Sequence, residues 1–318
     1  MTEKEILNFE TDITESSVKW LWYPYIPLGK ITIMQGNSGI GKTMLALNIA
    51  AALSKGEPLP GDTQPRKPIN IIYNTAEDGL GDTIKPRLRL AGADLARINT
   101  INERVNTLSM TDERLETSVS EISARLLILD PIQAYLGAKI DMNKANEVRP
   151  IFAQLARIAE DNECAVLLIG HQGKNQMYTE LQSLLGSTDQ VAAARSVLTV
   201  VKHPNDKKLS LINHTKSSLS ARGKSLSFYI DENGKIVWGD FVDDIRSGDD
   251  TEEKITKRDF AKDFLREVLA GGSMSANEIY KAANEKQISD KTLQRSKKEL
   301  GIISYSEGGM WFWKLPEK

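Results

Sequence analysis

The sequence predicts an α/β fold: a mostly parallel sheet covered by helices on both faces, followed by a small helix-and-hairpin domain. Three observations carry this. Residues 36–43 read GNSGIGKT, a full match to G-x-x-x-x-G-K-[ST], set between the apolar run Ile31–Met34 and the Ala/Leu-rich run Met44–Leu53. Strand, glycine loop and helix in that order form a phosphate-binding unit. Continuous, non-alternating apolar strands separated by helical stretches then recur to about residue 195, as expected of strands buried on both faces. Past an acidic stretch the pattern changes to three short helices and a hairpin.

The elements follow in order. Residues 1–28 form a lead-in. Within it Trp20-Leu-Trp-Tyr-Pro-Tyr-Ile-Pro27 is too rich in proline for a helix interior; it either covers a sheet edge or contacts a base or a neighbouring subunit. The α/β core spans 29–239. Strands are expected at Ile69–Tyr73, Arg125–Leu129 and Ala165–Ile169, and helices at Leu80–Ala91, interrupted near Pro86, and at Asn146–Glu160. From Ser196 short antiparallel strands follow at Ser196–Lys202, Lys208–Asn213, Ser225–Ile230 and Ile236–Trp238. Their turns are Asn205-Asp206 and Asn233-Gly234. Residues 240–254 form a linker, since Asp240–Glu253 holds seven acids and one arginine. Residues 255–318 hold the helical stretches Arg258–Leu269, Ala276–Glu285 and Lys291–Leu300, with Ser289 as N-cap of the last, and a hairpin through Gly308-Gly309.

Composition narrows the classes. The chain has 318 residues, room for roughly two domains. It has no apolar stretch near the ~18 residues of a membrane span, and its N-terminus does not read as a signal peptide, so a cytoplasmic protein is expected. The single Cys164 excludes an internal disulfide and is expected to be buried. The net charge is −2, but Lys254–Lys318 holds thirteen Lys/Arg against nine Asp/Glu. A basic end on an acidic body suggests two tasks.

The phosphate loop sets the chemistry. Gly36, Gly39 and Gly41 let the backbone wrap an anion, with Asn37, Ser38 and Ile40 completing the cradle. Lys42 places a charge on the outer phosphates, and Thr43 offers a hydroxyl to Mg²⁺. Leu126-Leu-Ile-Leu-Asp130 ends a buried strand in a carboxylate that suits the same metal. The next residue is Pro131, so the group that orients water must come from elsewhere. Glu77, in Ala76-Glu-Asp78 after the second strand, is the candidate, because strand C-terminal ends converge on the ligand crevice. Glu77 or Asp78 could instead cap a helix, Asp78 being the better placed. His171 and Gln172 close a further strand and can bond the outermost phosphate, or His171 is structural.

With these residues in view, the sequence over about 20–239 resembles the RecA-type ATPases, and most of all the RepA-like hexameric helicases of plasmids and phages. The resemblance implies ATP and Mg²⁺ as cofactors, a homo-oligomeric, hexameric ring, and single-stranded DNA as partner, with a primase or replication initiator possible. It implies that Glu77 is the catalytic glutamate, Asp130 the Walker B acid and His171 a sensor. Arg195 falls where such proteins place an arginine that reaches a neighbour's nucleotide; the alternative is a surface ion pair. DnaB-like relatives carry Lys-x-Arg on a late strand; here Lys216-Ser217-Ser218 stands instead, which moves weight to Arg195 and leaves Lys216 and Arg222 as second-line interface residues. The loops matching the ring's central DNA loops are Gly137–Asn146 and Gly173–Leu185, with Lys139, Lys144 and Lys174; plain solvated loops are the alternative.

Three helices and a hairpin in about sixty residues form a winged-helix order. Lys291, Arg295 and Lys298 fall on one stripe of the third helix, with Leu293 and Leu300 on another. This suits contact with duplex DNA, or else a docked protein with a basic face in water. The sequence therefore predicts an ATP-dependent DNA helicase or translocase acting in replication of mobile DNA. A RadA-like recombination ATPase and an ATP-switched DNA-binding regulator are the alternatives.

Overall fold

The computed structural model describes residues 6, 8–137, 140, 144–171, 192–204, 206, 208–242, 257–286 and 288–316. The chain divides into two compact units, 1–245 and 246–318. In the first, β1 (Trp20–Trp22) and β2 (Ile26–Pro27) pair as a short antiparallel ribbon. There follow β3 (Ile31–Gly36), α1 (Lys42–Lys55), β4 (Ile71–Thr75), α2 (Lys85–Leu90), β5 (Ile98–Asn99), α3 (Glu113–Glu121), β6 (Leu126–Asp130), α4 (Ile132–Tyr135), α5 (Ala145–Asp161) and β7 (Ala165–His171). The strands β8 (Ser196–Lys202), β9 (Ser210–Ser217), β10 (Ser225–Ile230) and β11 (Ile236–Val242) complete the unit.

One nine-stranded sheet runs β11-β10-β9-β8-β3-β7-β6-β4-β5. The strands from β8 to β5 are parallel, and β9, β10 and β11 join antiparallel. The parallel half is apolar on both faces for a reason of period: successive side chains of a strand alternate sides. Leu126 and Ile128 enter the cluster that packs under α1, whereas Leu127 and Leu129 enter the cluster that packs under α3 and α5. α1 shows burial on nearly every side, from Leu45 through Leu53, which is why its sequence lacks a polar stripe. Gly56, left-handed at φ 72°, ends it.

Several local expectations change. Trp20–Pro27 packs on the sheet, as the first of its two readings has it, but deeper than an edge cover: Trp22, Tyr25 and Ile26 lie in the core, with Trp22 Nε1 donating to Pro60 O at 2.9 Å and Tyr25 Oη to Lys224 O at 2.7 Å. Leu80–Ala91 is helical with its interruption beside Pro86, but the first part is not α-helix. A π-helical turn, Leu80–Ile84, leads into α2, and Pro86 sits in the first turn of α2, where its missing N–H is harmless. Strand β11 runs on to Val242, so the first residues assigned to the linker are sheet; 243–256 lie outside the described residues. β5, α3 and α4 have no counterpart in the sequence reading. Cys164 is buried, and burial pushes its thiol up to about 12.

The second unit contains α6 (Lys257–Leu269), β12 (Met274–Ser275), α7 (Ala276–Glu285), α8 (Asp290–Glu299), β13 (Ile303–Glu307) and β14 (Met310–Lys314), with sheet order β12-β14-β13. Among its described residues the unit thus holds three helices and a three-stranded antiparallel sheet. Leu265, Ile279, Leu293 and Trp313 form its core. Two serines start its helices: Ser275 Oγ accepts Glu278 N–H at 3.3 Å, and Ser289 Oγ accepts Thr292 N–H at 3.4 Å.

Candidate nucleotide site

Parallel register brings the C-terminal ends of four strands to one edge. Gly36 pairs with His171 on one side and Val200 on the other, and Asp130 pairs with Thr75. The phosphate loop leaves β3 there and enters α1. Two glycines are required here, Gly36 by a backbone neighbour and Gly41 by its left-handed backbone. A Cβ on Gly36 would meet Val200 O at 2.4 Å; one on Gly41, left-handed at φ 99°, would meet Ile230 Cδ1 at 2.7 Å. The loop's outer residues Asn37, Ser38 and Gly39 are exposed, and Ile40 is buried beneath them.

The charged groups converge as the motif requires. Lys42 is buried, and its ammonium donates to Gly36 O at 2.8 Å and Asn37 O at 2.9 Å, at the rim of the loop. Burial lowers its pKa, and the carboxylates of Asp130 and Glu77 act in the opposite direction. Thr43 Oγ1 donates to Asp130 Oδ2 at 2.7 Å, and Tyr73 Oη donates to the same oxygen at 2.9 Å. Burial first, and then the Asp130 charge, push the Tyr73 phenol far up, so it stays a donor. The hydroxyl and carboxylate of Thr43 and Asp130 are hard oxygen donors beside the loop. They fit Mg²⁺, which takes one or two protein oxygens and completes its shell with phosphate and water. Among the described residues no group of three or more His, Cys, Asp or Glu gathers as a protein-only cage.

The other predicted residues are placed as follows. Glu77 is exposed two residues beyond the end of β4, near enough to Lys42 for its charge to be felt there. Asp78 does not cap a helix: Gly79 holds the N-cap position, and Asp78 pairs with Arg87 Nη1 at 2.8 Å. The backbone sets His171 beside Gly36; its side chain, with Gln172, Lys139 and Lys174, lies outside the described residues, as does all of Gly173–Leu185. Lys144 is exposed at the start of α5 and pairs with Glu147 at 3.0 Å. In the second unit Arg295 and Lys298 are exposed on α8, and the Lys291 side chain lies outside the described residues.

Arg195 is exposed and stands at the opposite edge of the sheet from the phosphate loop. Thr32 pairs with Ser196 and Gly36 with Val200, so Arg195 is displaced from the loop by five strand steps, roughly 16 Å at ~3.3 Å per residue. Its carbonyl accepts the Ser218 N–H at 2.9 Å, and Lys216 Nζ donates to Ala194 O at 2.7 Å. Burial and then the Arg195 charge lower the Lys216 pKa. Arg195 and the Lys216-Ser217-Ser218 strand end are thus neighbours, which spacing in the sequence did not reveal. Arg222 is exposed in the following loop, near enough to His214 to act on its titration.

Sequence reasoning missed two polar supports. Asn74, buried at the end of β4, holds Ile101 through both its amide atoms and donates to Glu103 Oε1 at 2.8 Å; Tyr135 Oη reaches that same oxygen at 3.2 Å. Asn48 of α1 accepts Ile236 N–H at 2.9 Å and donates to Gly234 O at 3.2 Å, tying the β10–β11 turn to the loop's helix. A polar residue in an otherwise apolar run was the only signal of each.

The sheet order, the phosphate loop at its edge and the Thr43–Asp130 contact define a RecA-type P-loop ATPase fold. The chain belongs to the AAA_25 family, described as an AAA domain, which matches residues 6–177. The DNA repair protein RadA of Halalkalibacterium halodurans is 27% identical over 149 residues, covering 46% of this chain and 28% of RadA. RadA of Bacillus subtilis is 28% identical over 149 residues, with the same 46% and 28% covered. The chain thus spans about 28% of the length of these curated relatives. A DnaB-like replicative helicase, solved in a study of its interactions with primase, aligns with TM-score 0.52 at 14% identity, covering 67% of this chain and 58% of that one. This last likeness is one of fold.

Proposed function

We propose that the chain is a Mg²⁺-dependent ATPase that turns ATP hydrolysis into movement along single-stranded DNA, a RepA-like helicase or translocase serving replication of phage, plasmid or other mobile DNA. The observation that carries the reading is the Thr43 Oγ1–Asp130 Oδ2 contact of 2.7 Å beside Lys42, which joins groups 87 residues apart at the mouth of one phosphate loop. Fold likeness to a DnaB-like helicase supports the motor half of the reading.

Each residue then has a task. The loop amides and Lys42 bind the β- and γ-phosphates. Thr43 and Asp130 hold Mg²⁺, which neutralises charge on the phosphate oxygens. Glu77 orients a water and takes its proton as the water oxygen bonds to the γ-phosphorus; the bond to the bridging oxygen breaks, releasing ADP and phosphate. Arg195, too far from its own loop, serves the site of an adjacent copy in a hexameric ring. Lys216 and Arg222 are second-line cations there. His171 and Gln172 sense the γ-phosphate, and the loops with Lys139, Lys144 and Lys174 grip the strand. The winged-helix unit holds DNA through Lys291, Arg295 and Lys298. A primase or initiator is the matching partner.

ATP turnover measured with and without single-stranded DNA, beside unwinding of a forked duplex, tests this. Turnover that rises with DNA and strand separation are expected; the Glu77→Gln chain should bind ATP and turn over at least ~100-fold more slowly. Turnover that survives Glu77→Gln would remove that assignment. A second reading, a recombination or repair ATPase, is favoured by the sequence matches to RadA; DNA-stimulated turnover with no separation of the fork would select it.

A further inference from the structure

The winged-helix unit contains a feature that its exposed basic helix does not explain. A cavity of about 480 Å³ opens between α7, α8 and the β13–β14 hairpin. Trp311 and Trp313, two apart on β14, lie on one face of that strand. Trp313 is buried at the cavity floor, edge-on to Tyr280 at 5.5 Å, with Lys297 Nζ 4.0 Å above its ring. Trp311 also lines the cavity but is 60% exposed, an indole ledge with one open face. Phe312, between them, points to the other side and stacks on Tyr305.

The polar groups of the cavity suit one ligand class. Gln294 donates to the Tyr280 hydroxyl and Lys297 to the Ser304 hydroxyl, and Asn277 adds a second amide at the wall. Lys297 is the cation among the described residues of the lining, and none of these is Asp or Glu; the Glu278 carboxylate behind the wall is held by the Ser275 hydroxyl at 2.6 Å. A cationic ligand is therefore disfavoured, and an anion beside a flat apolar group is favoured. Burial lowers the Lys297 pKa, as expected of an ammonium held against aromatic surface. The volume is in the range of small-ligand sites, ~300–1,000 Å³. Amide-bearing walls match base edges, and an open indole is a stacking platform for any base.

We propose that this cavity takes one nucleotide of single-stranded DNA, its base stacked on Trp311 and its phosphate on the Lys297 ammonium. The site is separate from the exposed Arg295 and Lys298 positions of α8. It makes the wing side of the unit a reader of unpaired strand. The proposal rests on the reading of the chain as one that acts on DNA.

The test uses the full chain and fluorescence anisotropy of a short labelled oligothymidylate, beside an abasic strand of equal length and charge. Trp311→Ala should weaken oligothymidylate binding roughly tenfold, the order of one lost stacked base, and Trp311→Phe should restore most of it. The unaltered chain should hold the abasic strand about as weakly as Trp311→Ala holds the oligothymidylate. Equal affinity of the unaltered and Trp311→Ala chains for oligothymidylate, or Trp311→Phe as weak as Trp311→Ala, overturns the stacked-base site and leaves the DNA-acting ATPase standing. No binding to any strand overturns both.

Discussion

Acid should loosen the core through one buried ring. His214 is 2% exposed; its Nδ1 accepts Gly223 N–H at 2.9 Å, so the proton sits on Nε2 and is donated to Ser196 Oγ at 3.0 Å. Ser196 Oγ in turn donates to Tyr25 O at 2.6 Å, which links β8 and β9 to the β1–β2 ribbon. Burial, and then the Arg222 charge, lower the His214 pKa from 6.5 to about 4. The unfolded chain thus binds a proton near pH 6.5 that the folded chain refuses until near pH 4. Between those values the unfolded state holds more protons, so stability is full above about pH 6.5 and falls as pH drops toward 4. The shift corresponds to about 3 kcal/mol, lost at up to about 1.4 kcal/mol per pH unit. Urea unfolding of the core, followed by tryptophan fluorescence near pH 7 and near pH 4.5, measures it. Carboxylates titrate in the same range, so the comparison is with His214→Gln, which has no proton to gain. The unaltered chain should lose stability more steeply than the variant on going down in pH; parallel slopes would refute the reasoning.

Three more outcomes are expected. Tyr73→Phe removes a donor to the buried Asp130 Oδ2 and should lower core stability by about 1–3 kcal/mol in urea, since a hydrogen bond to a charged group is lost. Asn48→Ala leaves the buried Ile236 N–H without its acceptor; a cost of about 1–3 kcal/mol and faster amide exchange in the β10–β11 turn should follow. Arg195→Ala and Lys42→Ala chains should each be nearly inactive alone. Mixed, they should regain part of the ATP turnover, because one supplies an intact loop and the other an intact arginine; a mixture no faster than its parts would place Arg195 outside the reaction.

The parallel half of the fold was legible because its signals are local. Leu126–Asp130 is an unbroken apolar run capped by an acid, and GNSGIGKT carries its own flanking strand and helix. What was not legible depends on partners distant in sequence. Trp22 and Tyr25 leave a sheet cover and a contact with a base or neighbouring subunit both open until Pro60 and Lys224 come to meet them. Asp78 looks like a helix cap until Arg87, nine residues on, takes it instead. Tyr73 reads as one more apolar position of β4, although its hydroxyl is what steadies Asp130. The nearness of Arg195 to Ser218 is invisible in one dimension, since only the β8–β9 pairing sets it.

The stationing of Arg195 on the far rim of the sheet has a consequence for the proposed ATP turnover. On the proposed reading, a solitary polypeptide cannot bring Arg195 to its own phosphate loop. Specific activity per chain should then climb with protein concentration and collapse on dilution, so that association itself works as the on-switch.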